Sequence, residues 1–268
     1  MNLSAFAHYR ISFIAFLFLL LVIVACKKDD APTTPSVNTD CQVTREEDEE
    51  GYVLFEYNTD EKIIKASSYD KTKNNALEST LFTDYTNGKV EKIRIFYNGK
   101  NSGTPDITAM ATTNASGKIQ TLTAPFLGGV SSTATFTYTG DNITKITRND
   151  TQFRYEYDGN GNLTKIFYKI GSQAEELVTE YTYDNKPNPH RTYVALLVFA
   201  VVFGDIADVV SSNNPISEKS YDGETVSSTS AYAYTYNDKG FPLTVKQTIS
   251  QSGKADEVIN FTLQYTCK

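Results

Sequence analysis

Apolar and polar residues alternate with a period of two along most of this chain, and Asp, Asn and Gly interrupt the alternation at short intervals. "YEYDGNGNLTKI", Tyr155 to Ile166, is the clearest instance. On a strand, residues i and i+2 share a face, so Tyr155 and Tyr157 face one way and Glu156 the other. Phe136 and Tyr138 repeat the pattern against Thr135, Thr137 and Thr139, and Tyr232, Tyr234 and Tyr236 against Ala233 and Thr235. Such alternation marks strands buried on one side. Asp, Asn and Gly then supply the positive φ and the local side-chain bonds of a tight turn. Leu163 and Ile166 begin the return strand with opposite parity, which predicts a β-bulge or a side chain folded over the turn.

Related phrases are "FEYNTDEKIIK" (55–65), "FTDYTNGKVEKI" (82–93), "FTYTGDNITKI" (136–146) and "YTYNDKGFPLTVK" (234–246), with degraded copies in "TTNASGKIQTL" and "YTYDNKPNP". Their spacing is irregular, unlike a strict solenoid. Chained hairpins predict an all-β fold. It is a long antiparallel β-meander, a curved sheet or barrel-like, of about 14–16 strands, because that many strands seldom stay flat. "YVALLVFAVVF", 193–203, lacks alternation; it is too short for a spanning helix and long for a strand, so helix and strand both remain open. Asp205 is placed to cap a short helical insert near 205–211, ended by Asn213, Asn214 and Pro215. This insert is expected to cover or plug the aromatic face, with a ligand-facing apolar patch as the alternative.

The first forty residues read differently. "ISFIAFLFLLLVIV", 11–24, follows Arg10 and has the length of a signal h-region, short of a spanning helix. "IVAC", Ile23 to Cys26, resembles the lipobox of bacterial lipoproteins. The resemblance implies that 1–25 is a removed signal peptide and that Cys26 carries lipid, such as palmitate. Residues 26–40 form a flexible tether with a reach of roughly 20 Å, and 41–268 form a single domain. "KKDD", 27–30, resembles the export tag of Bacteroidetes surface lipoproteins, which implies an outer-membrane anchor facing the exterior, the periplasmic face being the alternative.

Without Arg10 the chain holds 24 basic and 32 acidic residues. No basic stripe is present, so nucleic acid is not expected as a partner, and the membrane is met through the lipid. In an exported chain the remaining Cys41 and Cys267 are expected to form a disulfide joining the two ends of the domain, two free thiols being the alternative.

Little points to catalysis. His190 stands alone in "NKPNPHRTY" once His8 leaves with the signal, and it reads as a solvated loop residue, so zinc and Ser–His–Asp chemistry lack their parts. "DGNGNL", 158–163, imitates a calcium loop, but the sixth and twelfth positions hold Leu163 and Lys169 where Gly and Glu are needed, so it reads as a turn. "EEDEE", 46–50, reads as a solvated loop before it reads as a loose cation site. No metal ligands and no cofactor are expected, and phosphate-loop patterns are missing. The tyrosines, 18 against no Trp, read chiefly as core; Tyr232, Tyr234 and Tyr236 are the candidates for stacking on a ligand.

The central phrase resembles the Tyr-Asp repeat of large bacterial surface proteins. The order "YDNKPNP" (183–189), "NNPI" (213–216), "YTYNDKGFP" (234–242) resembles a family of uncharacterised Bacteroidetes surface lipoproteins. That resemblance implies a porin-like sheet or barrel and no catalytic residues. The chain is therefore expected to be a lipid-anchored, non-enzymatic binding module for a glycan or a surface protein. The alternatives are a glycan hydrolase using paired carboxylates and a membrane-embedded barrel.

Overall fold

The alternating phrases fold into hairpins that close on themselves. The structure, a computed structural model, describes residues 41–125, 130–191, 193–198 and 206–268. The signal peptide, Cys26, the tether and residues 199–205 of the apolar segment lie outside the described residues. The strands are β1 (Cys41–Glu47), β2 (Gly51–Tyr57), β3 (Ile63–Asp70), β4 (Ala76–Thr86), β5 (Lys89–Tyr97), β6 (Ile107–Thr113), β7 (Ile119–Pro125) and β8 (Ser131–Thr139). They continue as β9 (Asn142–Arg148), β10 (Thr151–Tyr157), β11 (Leu163–Ile170), β12 (Glu176–Pro187), β13 (Asn213–Asp222), β14 (Thr225–Tyr236), β15 (Pro242–Gln251) and β16 (Glu257–Cys267). Each strand pairs antiparallel with its sequence neighbours, and β1 pairs with β16, so the meander is a closed barrel. A short helix, α1 (Ala207–Val210), falls within the expected stretch, and a 3-10 turn covers Val194–Leu196. The described part of the apolar segment is therefore helical.

The repeat's residues explain the hairpins atom by atom. Asp158 Oδ1 accepts the backbone N–H of Asn160 and of Asn162, each at 2.9 Å, while Asp158 N–H donates to the Asn162 carbonyl. Asn58, Asn114 and Asn237 close their turns with the same side-chain bond, to Lys62, Lys118 and Phe241 at 3.0, 3.0 and 2.9 Å. Gly161 takes φ 80° in this turn, a value that favours glycine. The expected bulge is present: Glu156 pairs with Lys165 and Tyr157 with Leu163, leaving Thr164 as the extra residue. Leu163 and Ile166 are thereby both buried.

The tyrosine before each turn ties its repeat to the previous one. Tyr157 OH donates to the Ile143 carbonyl at 2.8 Å, Tyr138 to Ile119 at 2.8 Å and Tyr57 to Val43 at 2.7 Å. Tyr85 and Tyr183 make the equivalent bond to Ile63 and Leu163, and Tyr234 and Tyr265, which do not directly precede a turn, bond the Pro215 and Pro242 carbonyls. The copy "TTNASGKI" has Thr where the tyrosine would stand. Each bond contributes about 1 kcal/mol and satisfies a carbonyl where the bulge interrupts the ladder. Lysines stitch the same end: Lys62, Lys89 and Lys118 donate from Nζ to the Gly88, Asn114 and Gly140 carbonyls of the next turn, at 2.7, 3.0 and 2.6 Å.

The two faces of the wall differ in chemistry. Leu81, Ile93, Leu122, Ala134, Phe136 and Ile146 point inward and belong to one apolar cluster that includes the insert residues Tyr193, Leu196, Leu197 and Ile206. Outside are Thr112 bonded to Thr121, Thr123 to Thr133 and Thr235 to Thr244 at 2.6–2.7 Å. Ion pairs Lys65–Glu56, Arg94–Asp84 and Arg154–Glu156 share this outer face. The exposed large apolar residues, Met110, Val130, Val194, Val226, Leu243 and Val258, are scattered over different elements. A barrel in a bilayer presents the reverse, an apolar outer band about 25 Å tall.

Candidate functional site

The meander gives the barrel two unlike ends. Cys41 begins β1 at the end that also carries the turns 58–62, 114–118 and 158–162, and β12 hands over to the insert there. At this end Cys41 and Cys267 are joined in the disulfide expected from their positions, with Cα atoms 4.0 Å apart. The other end carries the turns 48–50, 71–75, 171–175, 223–224 and 252–256.

The insert enters from the Cys41 end, and the stretches "YDNKPNP", "NNPI" and "YTYNDKGFP" meet at its base. Asp184 accepts from Asn214 N–H at 3.1 Å, from Asn214 Nδ2 at 3.1 Å and from Tyr236 OH at 2.5 Å. Asn188 Nδ2 donates to the Asp208 and Ser211 carbonyls at 2.6 and 3.0 Å. Ser211 Oγ accepts from Leu163 N–H at 3.1 Å, and Ser212 Oγ donates to the Asn160 carbonyl at 2.8 Å. These stretches clamp the stem of the insert onto the rim.

Inside, the insert brings together groups that lie far apart in sequence. Tyr193 OH and Tyr57 OH are 2.6 Å apart, and the Tyr193 ring lies 5.5 Å from Phe55. His190, expected in a solvated loop, is instead largely enclosed, its side chain 12 % exposed and Nε2 3.5 Å from Glu46 Oε1. Glu46, expected in a solvated acidic run, is 6 % exposed. The reason is a bulge in β1 between Val43 and Arg45, which shifts the parity of the strand and turns Glu46 inward. Glu46 Oε2 and His190 Nε2 have no hydrogen-bond partner. Burial, aided by Asp48, pushes the Glu46 carboxyl up to about 8, and burial pushes the His190 imidazole down to about 4. Both groups are therefore neutral between those values. Neither residue was legible as a partner of the other, since a bulge and an insert create the meeting.

Tyr232, Tyr234 and Tyr236 stand on the inner wall. Tyr232 is 3 % exposed with its hydroxyl 3.4 Å from Glu218 Oε2, Tyr234 bonds Pro215 and Tyr236 bonds Asp184. The Tyr232 ring belongs to the core, Tyr234 packs against it and Tyr236 packs against Tyr234 at 5.5 Å, and all three hydroxyls have a partner. Asp158, the head of the calcium-loop imitation, closes a turn with both carboxylate oxygens, Oδ2 accepting from Asn162 Nδ2 at 3.0 Å. Among the described residues no group of three His, Cys, Asp or Glu is arranged to hold a metal ion.

A groove of about 490 Å³ lies between the tips of β1–β4 and the start of β16. Its lining includes Asp48, Glu49, Glu50, Asp70, Glu78 and Glu257, with Lys73 as the single ammonium. Tyr52 and Tyr69 stack on its wall, centroids 4.8 Å apart and 13° between planes. Asp48 Oδ1 accepts from Glu50 and Gly51 N–H at 2.7 Å, which holds the acidic tip in one shape. The size suits a small molecule or one side chain of a partner.

No family model matches the chain, and no curated protein matches it. Solved structures do. A porin-like protein from Bacteroides uniformis superposes with a TM-score of 0.56 at 17 % identity, over 84 % of this chain and 98 % of that one. A porin-like protein from Bacteroides vulgatus gives a TM-score of 0.38 at 15 % identity, over 85 % of this chain and 99 % of that one. The first likeness defines the class of fold: a porin-like, all-β antiparallel barrel.

Proposed function

We propose that this chain is an outer-membrane lipoprotein, anchored through lipid on Cys26 and facing outward, that acts as a non-enzymatic binding module for a glycan or a surface protein. The carrying observation is the polarity of the wall combined with the polarity of the ends. An apolar interior filled by an insert is a scaffold and not a conduit, and a wall of threonines and ion pairs is suited to water. The tether joins the barrel at Cys41, so the plugged end sits toward the anchor and the acidic groove opens away from it. Contact loops on a rigid wall are the usual place for recognition.

The porin-like likeness favours a second reading, a barrel embedded in the membrane; the ion pairs Arg94–Asp84 and Arg154–Glu156 on the outer wall weigh against it. A third, glycan hydrolysis, would use two carboxylates, one with a raised pKa. Native gels of Lys27–Lys268 containing soluble polysaccharides separate the readings. Retardation without release of reducing ends is the expected result for a glycan-binding module. Release of reducing ends would replace it with the hydrolase. No retardation by any polysaccharide would leave a protein as the partner, to be sought by cross-linking on cells.

A further inference from the structure

The barrel wall has a gap at the end opposite Cys41. β16 begins at Glu257, but its neighbour β1 stops at Glu47, which pairs with Thr262. β1 stops there because Asp48 Oδ1 accepts the N–H groups of Glu50 and Gly51 and turns the chain into β2. Residues 257–260 pair with β15 on one side, from Glu257 opposite Ile249 to Asn260 opposite Lys246. On their other side, among the described residues, no strand pairs with them. The groove is this gap: residues 257–261 line one wall, and 48–52 with 68–70 line the other. An unpaired edge presents a row of backbone N–H and C=O groups, a ready template for another strand. Both faces of this edge also offer side-chain contacts. Val258 is 48 % exposed on the outer face, where Tyr52 and Tyr69 stack, and Ile259 packs against the core on the inner face.

We propose that the gap binds an extended basic peptide segment of a partner protein, which lies along 257–260 as an additional strand and sets its cationic side chains against the rim. Main-chain bonds to the edge supply the affinity of such pairing, and alternate side chains its specificity. Charge selects the occupant. Asp70 and Glu78 share Lys73, but Asp48, Glu49, Glu50 and Glu257 line the groove without an ion pair among the described residues. A second copy of this chain, docked edge to edge, would bring the same carboxylates together, and like charges in an interface are costly. The volume of about 490 Å³ holds a few residues of extended chain and not a folded domain. The inference rests on the reading of the chain as a binding module and names the class of partner its groove takes.

Isothermal titration of the peptide acetyl-Lys-Val-Lys-Val-Lys-Val-amide into Lys27–Lys268, with hydrogen exchange on the complex, tests it. One site is expected, weakened by salt and by Glu49→Gln/Glu50→Gln, with alternate amides within 257–260 protected only in the complex. Two control peptides carry N-methyl groups on every lysine or on every valine, which keeps the charge and removes the N–H donors of one edge. Successive residues of a strand point their N–H groups to opposite sides, so one control should bind about tenfold or more weakly and the other like the parent peptide. No binding of the parent peptide overturns the inference. Binding that leaves 257–260 unprotected, or that ignores both methylations, overturns it in favour of loose counterion association with the rim. A dimer in light scattering whose 257–260 amides are protected without peptide would give the edge to a second copy instead. If polysaccharide retards the protein while the peptide does not bind, the inference falls and the binding-module reading stands.

Discussion

Replacing Cys41 and Cys267 together by serine is expected to lower the stability of the barrel by about 2–5 kcal/mol. The bridge spans 226 residues, and cross-linking a loop that long removes chain entropy worth up to ~5 kcal/mol from the unfolded state. Its place in the fold adds a second effect. β1–β16 is the pairing that closes the barrel, and Cys41 faces Cys267 at its tether end. The bulge at Val43/Arg45 interrupts that ladder two residues further on. Without the bridge the seam is expected to fray from the Cys41 end, beside Val43, whose carbonyl holds Tyr57 and through it the insert residue Tyr193. Urea unfolding of the double variant against the oxidised parent measures the first effect. Hydrogen exchange of Gln42 and Val43 measures the second. A stability loss under 1 kcal/mol, or unchanged protection at the seam, would contradict this role for the bridge.

Stability is also expected to fall as pH rises from about 6.5 to 8, by about 2 kcal/mol, because of Glu46. Its folded value of about 8 lies above the ordinary 4.5. Between those values the folded state therefore holds a proton that the unfolded state has lost, and stability declines with rising pH. His190 has the opposite sign: its folded value of about 4 lies below the ordinary 6.5. Between those values the unfolded state holds the extra proton, so stability rises with pH. The two slopes offset each other from about 4.5 to 6.5, and above 6.5 only the Glu46 slope remains. Tyr57, Tyr193 and Tyr265, which also feel Glu46, are held protonated across this range by burial. Glu46→Gln removes the upper slope, so the variant should be flat from pH 6.5 to 8 and more stable than the parent at pH 8. A parent whose stability does not fall over that window would contradict a protonated Glu46, and a decline that persists in Glu46→Gln would assign it to another group.

Much of the fold was written in the short range. Tyr155, Tyr157, Asp158, Gly161 and Leu163 specify two strand faces, a turn and a bulge within nine residues, and each does in the structure what its chemistry predicts. Closure of the sheet was less legible, because it depends on pairing residues at opposite ends of the domain; Cys41 and Cys267 were the one local sign of it. The candidate site was legible in pieces. The run 46–50 reads as uniformly solvated, yet the β1 bulge sends Glu46 inward while Asp48, Glu49 and Glu50 reach the groove. Parity counted along the strand misses a bulge whose residue, Thr44, looks like any other strand threonine. His190 reads as a loop histidine because its burial depends on the insert folding back into the barrel. Tyr232, Tyr234 and Tyr236 carry the same signal whether they face a ligand or a core, and only the closed wall decides between them.

In the proposed reading the wall of this barrel faces water, and lipid, not the wall, holds it to the membrane. Size-exclusion chromatography with light scattering on Lys27–Lys268, with and without detergent, tests it most directly. A monomer in plain buffer with no bound detergent is expected. A protein that aggregates without detergent, or that carries a detergent belt when it is present, would instead place the barrel within the membrane.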